Sequence, residues 1–182
     1  TNALDEESSR IWVSGYVLKE PSRIASNFRA ERTLESDLTS QGIVGICNVD
    51  TRAITLHIRS AGAMRSGIFS GSAALTREQM IQAVKDSAQM KGQSLSSKVS
   101  TTENVSIPSQ GTRVGKVAIL DLGIKKSTIE HLNARGLDVE LFPADSSSQR
   151  ILESQPDAFF FSNGPGDPSA SAAQVSMLQE LL

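Results

Sequence analysis

The stretch Phe159-Phe160-Phe161-Ser162-Asn163-Gly164-Pro165-Gly166-Asp167-Pro168 runs an apolar segment straight into a bend of two glycines and two prolines. Residues 158–161 read as a strand too apolar to be half-solvated, and the bend stops it at the carboxyl edge of a sheet, where α/β proteins place their ligands. Pro165 is confined near φ −65°, while Gly164 and Gly166 carry no Cβ, so a ligand can approach their peptide N–H groups closely. Donors of this kind suit an oxyanion or a carboxylate.

Upstream of the bend the same grammar repeats. Residues 117–122 form a buried-type strand, 125–135 a helix stopped by Gly136, 139–142 a strand, and 147–153 a short helix. This βαβαβ order predicts a parallel sheet with right-handed crossovers and helices on its faces. Its ligand edge carries residues 121–123, 143–145 and 162–168.

The first half is less regular. Strand-like runs at 11–19 and 43–49 flank a short helix over 33–41 that carries Leu34 and Leu38 and ends at Gly42. Asp50 or Thr51 caps a helix with Ile54 and Ile58 on one face, ending near Gly62, and Ile68 and Phe69 between glycines suggest a short strand. Thr76 and Gln79 have capping-box spacing, and Met80, Val84 and Ala88 continue at helical period toward Gly92. Residues 93–112 are rich in serine, threonine and glycine with no sustained period, and read as a linker. The expected fold class is therefore α/β: a mixed domain over 1–92, a linker over 93–112, and a parallel-sheet domain over 113–182.

Composition excludes several classes of function. A net charge of −2 with dispersed lysine and arginine offers no footprint for nucleic acid or an anionic membrane. No apolar run reaches the ~20 residues of a membrane span, and nothing resembling a signal peptide opens the chain, so a cytoplasmic location is expected. Cys47 is the single cysteine and only His57 and His131 join it, so neither an internal disulfide nor a histidine/cysteine metal site is expected. The chain opens on Thr1 and stops at Leu182 within a helical run, which reads as a piece of something longer.

Several residues invite chemistry and are better read as structural. Cys47 lies between Ile46 and Asn48 with no histidine close in sequence, and free cysteine is commonly buried. His57 and His131 fall in helices beside Leu56 and Leu132. Arg52 and Arg59, seven apart, read as one solvated helix face, and Arg65 as no part of an anion site. Asp121 ends a strand, as a phospho-acceptor would, but the third strand ends in Ser162 and Asn163 where that fold needs an acid. One glycine in Leu122-Gly123-Ile124-Lys125 falls short of a dinucleotide fingerprint. Asp121 is therefore read as organising backbone donors around its turn.

Motifs across nearly the whole chain resemble the small, glutamine-hydrolysing chain of carbamoyl phosphate synthetase. They are Asp5-Glu6-Glu7-Ser8-Ser9, Ala25-Ser26-Asn27-Phe28-Arg29, Val49-Asp50-Thr51-Arg52, Gly62-Ala63 and Lys98-Val99-Ser100-Thr101-Thr102. The bend at 162–168 is shared in variant forms by other class I glutamine amidotransferases. Ile54-Thr55-Leu56-His57 departs from the leucine, threonine, arginine usual there, and Leu122 replaces a phenylalanine.

The resemblance implies a three-layer class I amidotransferase domain, truncated in this chain, in which a histidine-activated cysteine attacks the amide of L-glutamine and releases ammonia. Gly164 and Gly166 would contact glutamine, with the Gly164 N–H an oxyanion donor, while Asn163, Pro165 and Asp167 would hold the loop's shape. The nucleophilic cysteine, histidine and glutamate would lie beyond Leu182, so no catalytic residue is expected within this chain. The partner implied is a large synthetase chain that binds ATP and Mg, with no cofactor on this chain. Another class I amidotransferase, or a scaffold subunit that has lost its nucleophile, are the alternatives.

Overall fold

A computed structural model describes residues 1–70 and 75–182. The chain divides into two compact units, Thr1–Met90 and Lys91–Leu182.

In the first unit, β1 (Gly15–Val17) and β2 (Val44–Ile46) pair in parallel, joined through α1 (Leu34–Ser40). Thr33 caps α1 by accepting from the Ser36 N–H, and Leu38 on its inner face is buried. Asp50 caps α2 (Thr51–Ala61), which ends at Gly62 with φ +82°. The Thr76/Gln79 capping box opens α3 (Arg77–Asp86), with both reciprocal bonds present. The helix stops at Asp86, short of Gly92, because Ser87 turns extended and its N–H and hydroxyl both donate to the Val84 carbonyl. Ile68 and Phe69 form no strand; the Ile68 side chain instead fills the space beside Gly15, 2.8 Å from where a Cβ there would sit. Gly71, the second glycine of that expected strand, lies outside the described residues.

The second unit is built on four strands. After α4 (Ser96–Val99) come β3 (Val105–Ile107), β4 (Gly115–Leu120), α5 (Lys126–Asn133), β5 (Leu137–Phe142), α6 (Ser148–Glu153), β6 (Ala158–Phe161) and α7 (Ala172–Leu181). The sheet order is β3-β5-β4-β6, with β4 parallel to both β5 and β6, and β3 antiparallel to β5. The mixed α/β class with parallel-dominated sheets therefore holds.

The linker reading of 93–112 is corrected: the segment belongs to the second unit and supplies α4 and β3. It lacks a sustained period because it is made of a four-residue helix, a three-residue edge strand and side-chain-bonded turns, each too short to show one.

The strands of this unit bury both faces. Ala118 and Leu120 join Phe142, Ile151 and Met177 on one side, and Val117 and Ile119 join Val139 and Leu141 on the other. Leu132 and Ile129 of α5 pack on the second face, while Ile151 of α6 and Met177 of α7 pack on the first. Sheet between two helical layers is the three-layer arrangement expected of a parallel sheet. Phe160 departs from the both-faces rule at 39% exposure, because β6 lies at the end of the strand order. Among the described residues no helix is long and apolar enough to cross a membrane.

Candidate functional site

Within the parallel strands the order β5-β4-β6 places β4 beside β6, with α5, which follows β4, on one face and α7, which follows β6, on the other. The connections leaving β4 and β6 therefore diverge, and a crevice opens between the carboxyl ends of these two strands. A cleft of about 190 Å³ occupies that place, lined by Ser96, Leu122, Gly164, Pro165, Gly166, Asp167, Pro168 and Ser171.

Polar groups fix the two loops that form the cleft. Asp121, buried at the end of β4, accepts from the N–H groups of Gly123 and Ile124 through one oxygen and from Thr101 through the other. It organises backbone donors, as its sequence position suggests. Ser162, buried at the end of β6, accepts from the Leu122 N–H at 2.8 Å and donates to the Asn163 carbonyl at 3.0 Å. This hydroxyl ties the two loops together, a role that nothing local in the sequence marks.

The bend itself explains both glycines by packing. A Cβ on Gly164 would strike the Leu122 backbone carbonyl, and Gly166 has φ +112° with the Gln93 carbonyl oxygen 2.6 Å from where its Cβ would be. The absence of side chains thus serves first to let the loop close against the Leu122 turn and residues 93–95. The Gly164 N–H and Gly166 N–H are hydrogen-bonded to no protein acceptor among the described residues, and Gly164 is solvent-exposed. Unpaired donors beside a cleft are what an anionic or carbonyl ligand requires.

Asp167 anchors the far end of the bend. Its carboxylate accepts from the Gly92 N–H at 2.8 Å and the Ser169 N–H at 2.9 Å, and its own N–H donates to the Gln93 carbonyl. These backbone donors hold its carboxyl below the usual aspartate range, the Gly92 bond being the largest cause. The second bond caps the 3₁₀ turn Pro168–Ala170. Pro165 lies against the Gly123 turn, its Cδ 3.4 Å from where a Cβ on Gly123 would sit. Asn163 contributes its carbonyl oxygen to the Ser162 hydroxyl and is itself exposed.

The remaining sequence candidates stand apart from this cleft's lining. Cys47 is exposed, against the expectation of burial, because β2 ends at Ile46 and the chain turns at Asn48 with φ +62°. It edges a groove lined by Leu18, Leu34, Leu38 and Ile46. His57 and His131 are exposed on α2 and α5, and Arg52 and Arg59 are exposed on α2. Arg65 donates to the carbonyls of Lys85 and Ser87 at the end of α3, a helix-capping role. No group of three or more His, Cys, Asp or Glu able to hold a metal occurs among the described residues.

Residues 1–68 match the family model for the carbamoyl-phosphate synthase small chain, CPSase domain, and residues 118–182 match that for glutamine amidotransferase class-I. The carbamoyl phosphate synthase small chain of Streptomyces avermitilis is 45% identical over 181 residues, covering 100% of this chain and 48% of the relative. The chain belongs to the carbamoyl phosphate synthase small chain family. Small chains from Bifidobacterium longum, 44% identical over 194 residues, and Mycobacterium tuberculosis, 41% over 186, also align along 100% of it, covering 48% and 50% of their own lengths. The chain thus spans about half the length of the curated relatives it matches.

Proposed function

We propose that this chain contributes the glutamine-binding bend of a glutamine-hydrolysing small chain, which supplies ammonia to a large synthetase chain that makes carbamoyl phosphate from bicarbonate and ATP. The observation that carries the reading is the pair of unpaired N–H groups on Gly164 and Gly166 at the switch-point cleft of an amidotransferase sheet. Kinship with proteins named as carbamoyl phosphate synthase small chains supports the choice among amidotransferases.

In this reading a cysteine thiolate, activated by histidine, attacks the side-chain carbonyl carbon of glutamine and turns its oxygen into an oxyanion. The Gly164 N–H donates to that oxygen, and Gly166 admits the substrate close to the backbone. Collapse of the intermediate expels ammonia and leaves a thioester, which water hydrolyses to glutamate. Nucleophile, histidine and glutamate are assigned to the half of the family's length that this chain does not span, so residues 1–182 alone are inactive. ATP and Mg are assigned to the large chain. The reading includes a cytoplasmic location, in keeping with a single cysteine and no cystine framework.

The test is reconstitution of the intact small chain with a candidate large chain and assay of glutamine-dependent carbamoyl phosphate formation. Formation from glutamine that stops when the nucleophilic cysteine is replaced supports the reading. A complex that uses free ammonia but never glutamine rejects it in favour of a scaffold role.

A further inference from the structure

The segment 92–101 crosses the carboxyl ends of all three parallel strands and is bonded to the loop that follows each. At the β6 loop the Gly92 N–H donates to Asp167, the Gln93 carbonyl accepts from the Asp167 N–H, and Ser94 bridges Gly166. At the β5 loop the Ser100 hydroxyl oxygen accepts from the Ala144 N–H at 2.9 Å. At the β4 loop the Thr101 N–H donates to Asp121 at 2.7 Å, and Val99 fills the space beside Gly123.

Covering a sheet edge would not require this arrangement. Pro165 sets one dihedral of the bend, and Ser162 ties its start to the Leu122 turn, but Gly166 is located by Gln93 and Leu95 atoms that occupy the space of its missing side chain. The cleft also takes Ser96 of α4 as part of its wall. The donors of the bend are therefore placed from outside the sheet. Because Gly92 directly follows Lys91, the first residue of the second unit, the same segment is chain-continuous with the first unit.

Resting on the glutamine-site reading above, we propose that residues 92–101 are a positioning strap for that site, with Asp167 the positioning residue that fixes the Gly164 and Gly166 donors to it. Glutamine binding and strap order are then coupled, and the coupling is reciprocal. Asp167→Asn leaves one carbonyl oxygen for two backbone donors and sets an NH₂ group against the other, so the strap and bend lose their common register.

The experiment uses the intact small chain in complex with its large chain and reads amide exchange over 91–101 with and without saturating glutamine, together with kcat and KM. In the wild type glutamine slows strap exchange severalfold. Asp167→Asn removes that slowing and raises the glutamine KM about tenfold, the scale expected when substrate-holding groups shift by less than an ångström. Ser100→Ala, which loosens only the β5 attachment, gives a smaller rise in the same direction. Strap exchange blind to glutamine overturns the proposal, as does an unchanged KM in Asp167→Asn or a loss of activity that only tracks loss of melting temperature. If Asp167→Asn does not fold, the wild-type exchange and Ser100→Ala decide alone. A wild-type complex that does not hydrolyse glutamine rejects the function itself, whereas one that hydrolyses it with a glutamine-blind strap rejects only the strap.

Discussion

Gly164 and Leu122 meet backbone to side-chain space: a Cβ built on Gly164 would collide with the Leu122 carbonyl oxygen and stand 2.9 Å from the Leu122 Cβ. These residues follow β6 and β4, so their contact sets the width of the crevice at the switch point.

Gly164→Ala should therefore displace the bend as well as crowd the substrate. Losing one oxyanion donor costs about 3 kcal/mol, roughly a hundredfold in kcat. Overpacking against Leu122 adds about 1–3 kcal/mol of destabilisation, visible as a lower urea midpoint. Gly164→Val should retain the sheet but lose glutamine hydrolysis in the intact protein. Near-normal turnover of either variant would remove Gly164 from the site.

At Gly166 the backbone conformation dominates. With φ +112° and the Gln93 carbonyl in the way, Gly166→Ala should destabilise by about 2 kcal/mol, since strained residues of this kind cost about 1–3 kcal/mol each. Denaturant unfolding compared with Gly62→Ala, where φ is also positive but space is open, separates the collision from the dihedral strain.

Replacing Asp121 with alanine strands three N–H groups, those of Thr101, Gly123 and Ile124. The expected loss is about 3 kcal/mol, the usual consequence of leaving such donors unsatisfied. Asp121→Asn keeps one acceptor oxygen and should lose less. Equal midpoints for the wild type and Asp121→Ala would show that solvent replaces the carboxylate freely.

The bonds from Gly92 and Ser169 hold the Asp167 carboxyl below its ordinary value of 3.8. A depressed carboxylate contributes its stabilisation fully above the unfolded value and loses it as pH falls through the folded one. The attachment of the bend to residues 92–93 should thus persist at pH 5 and release only below 3.8. Following the Asp167 carboxyl by NMR during acid titration checks this, and a midpoint at or above 3.8 would contradict the bonding described here.

The sequence by itself determined the three parallel strands and the sheet edge at which the cleft lies. Strands such as 117–120, apolar at every position, have no choice but burial on both faces, and a Gly-Pro-Gly bend after an apolar run has no choice but to stop at a sheet edge. The cap at Thr76 was equally legible, and that of the preceding helix was narrowed to Asp50 or Thr51, because capping is a contact within one turn of the helix. What only the tertiary structure decided is who stands beside whom across the edge. Ser162 looks like any strand-ending serine until its hydroxyl meets Leu122, 40 residues away. Residues 92–101 look like solvated linker until their partners, Asp121, Ala144 and Asp167, are brought alongside. Periodicity reports a continuous buried face, and these residues form none: Ser96 and Ser162 are buried singly among half-buried and exposed neighbours. They act through single hydrogen bonds to partners distant in sequence, and such bonds leave no repeat.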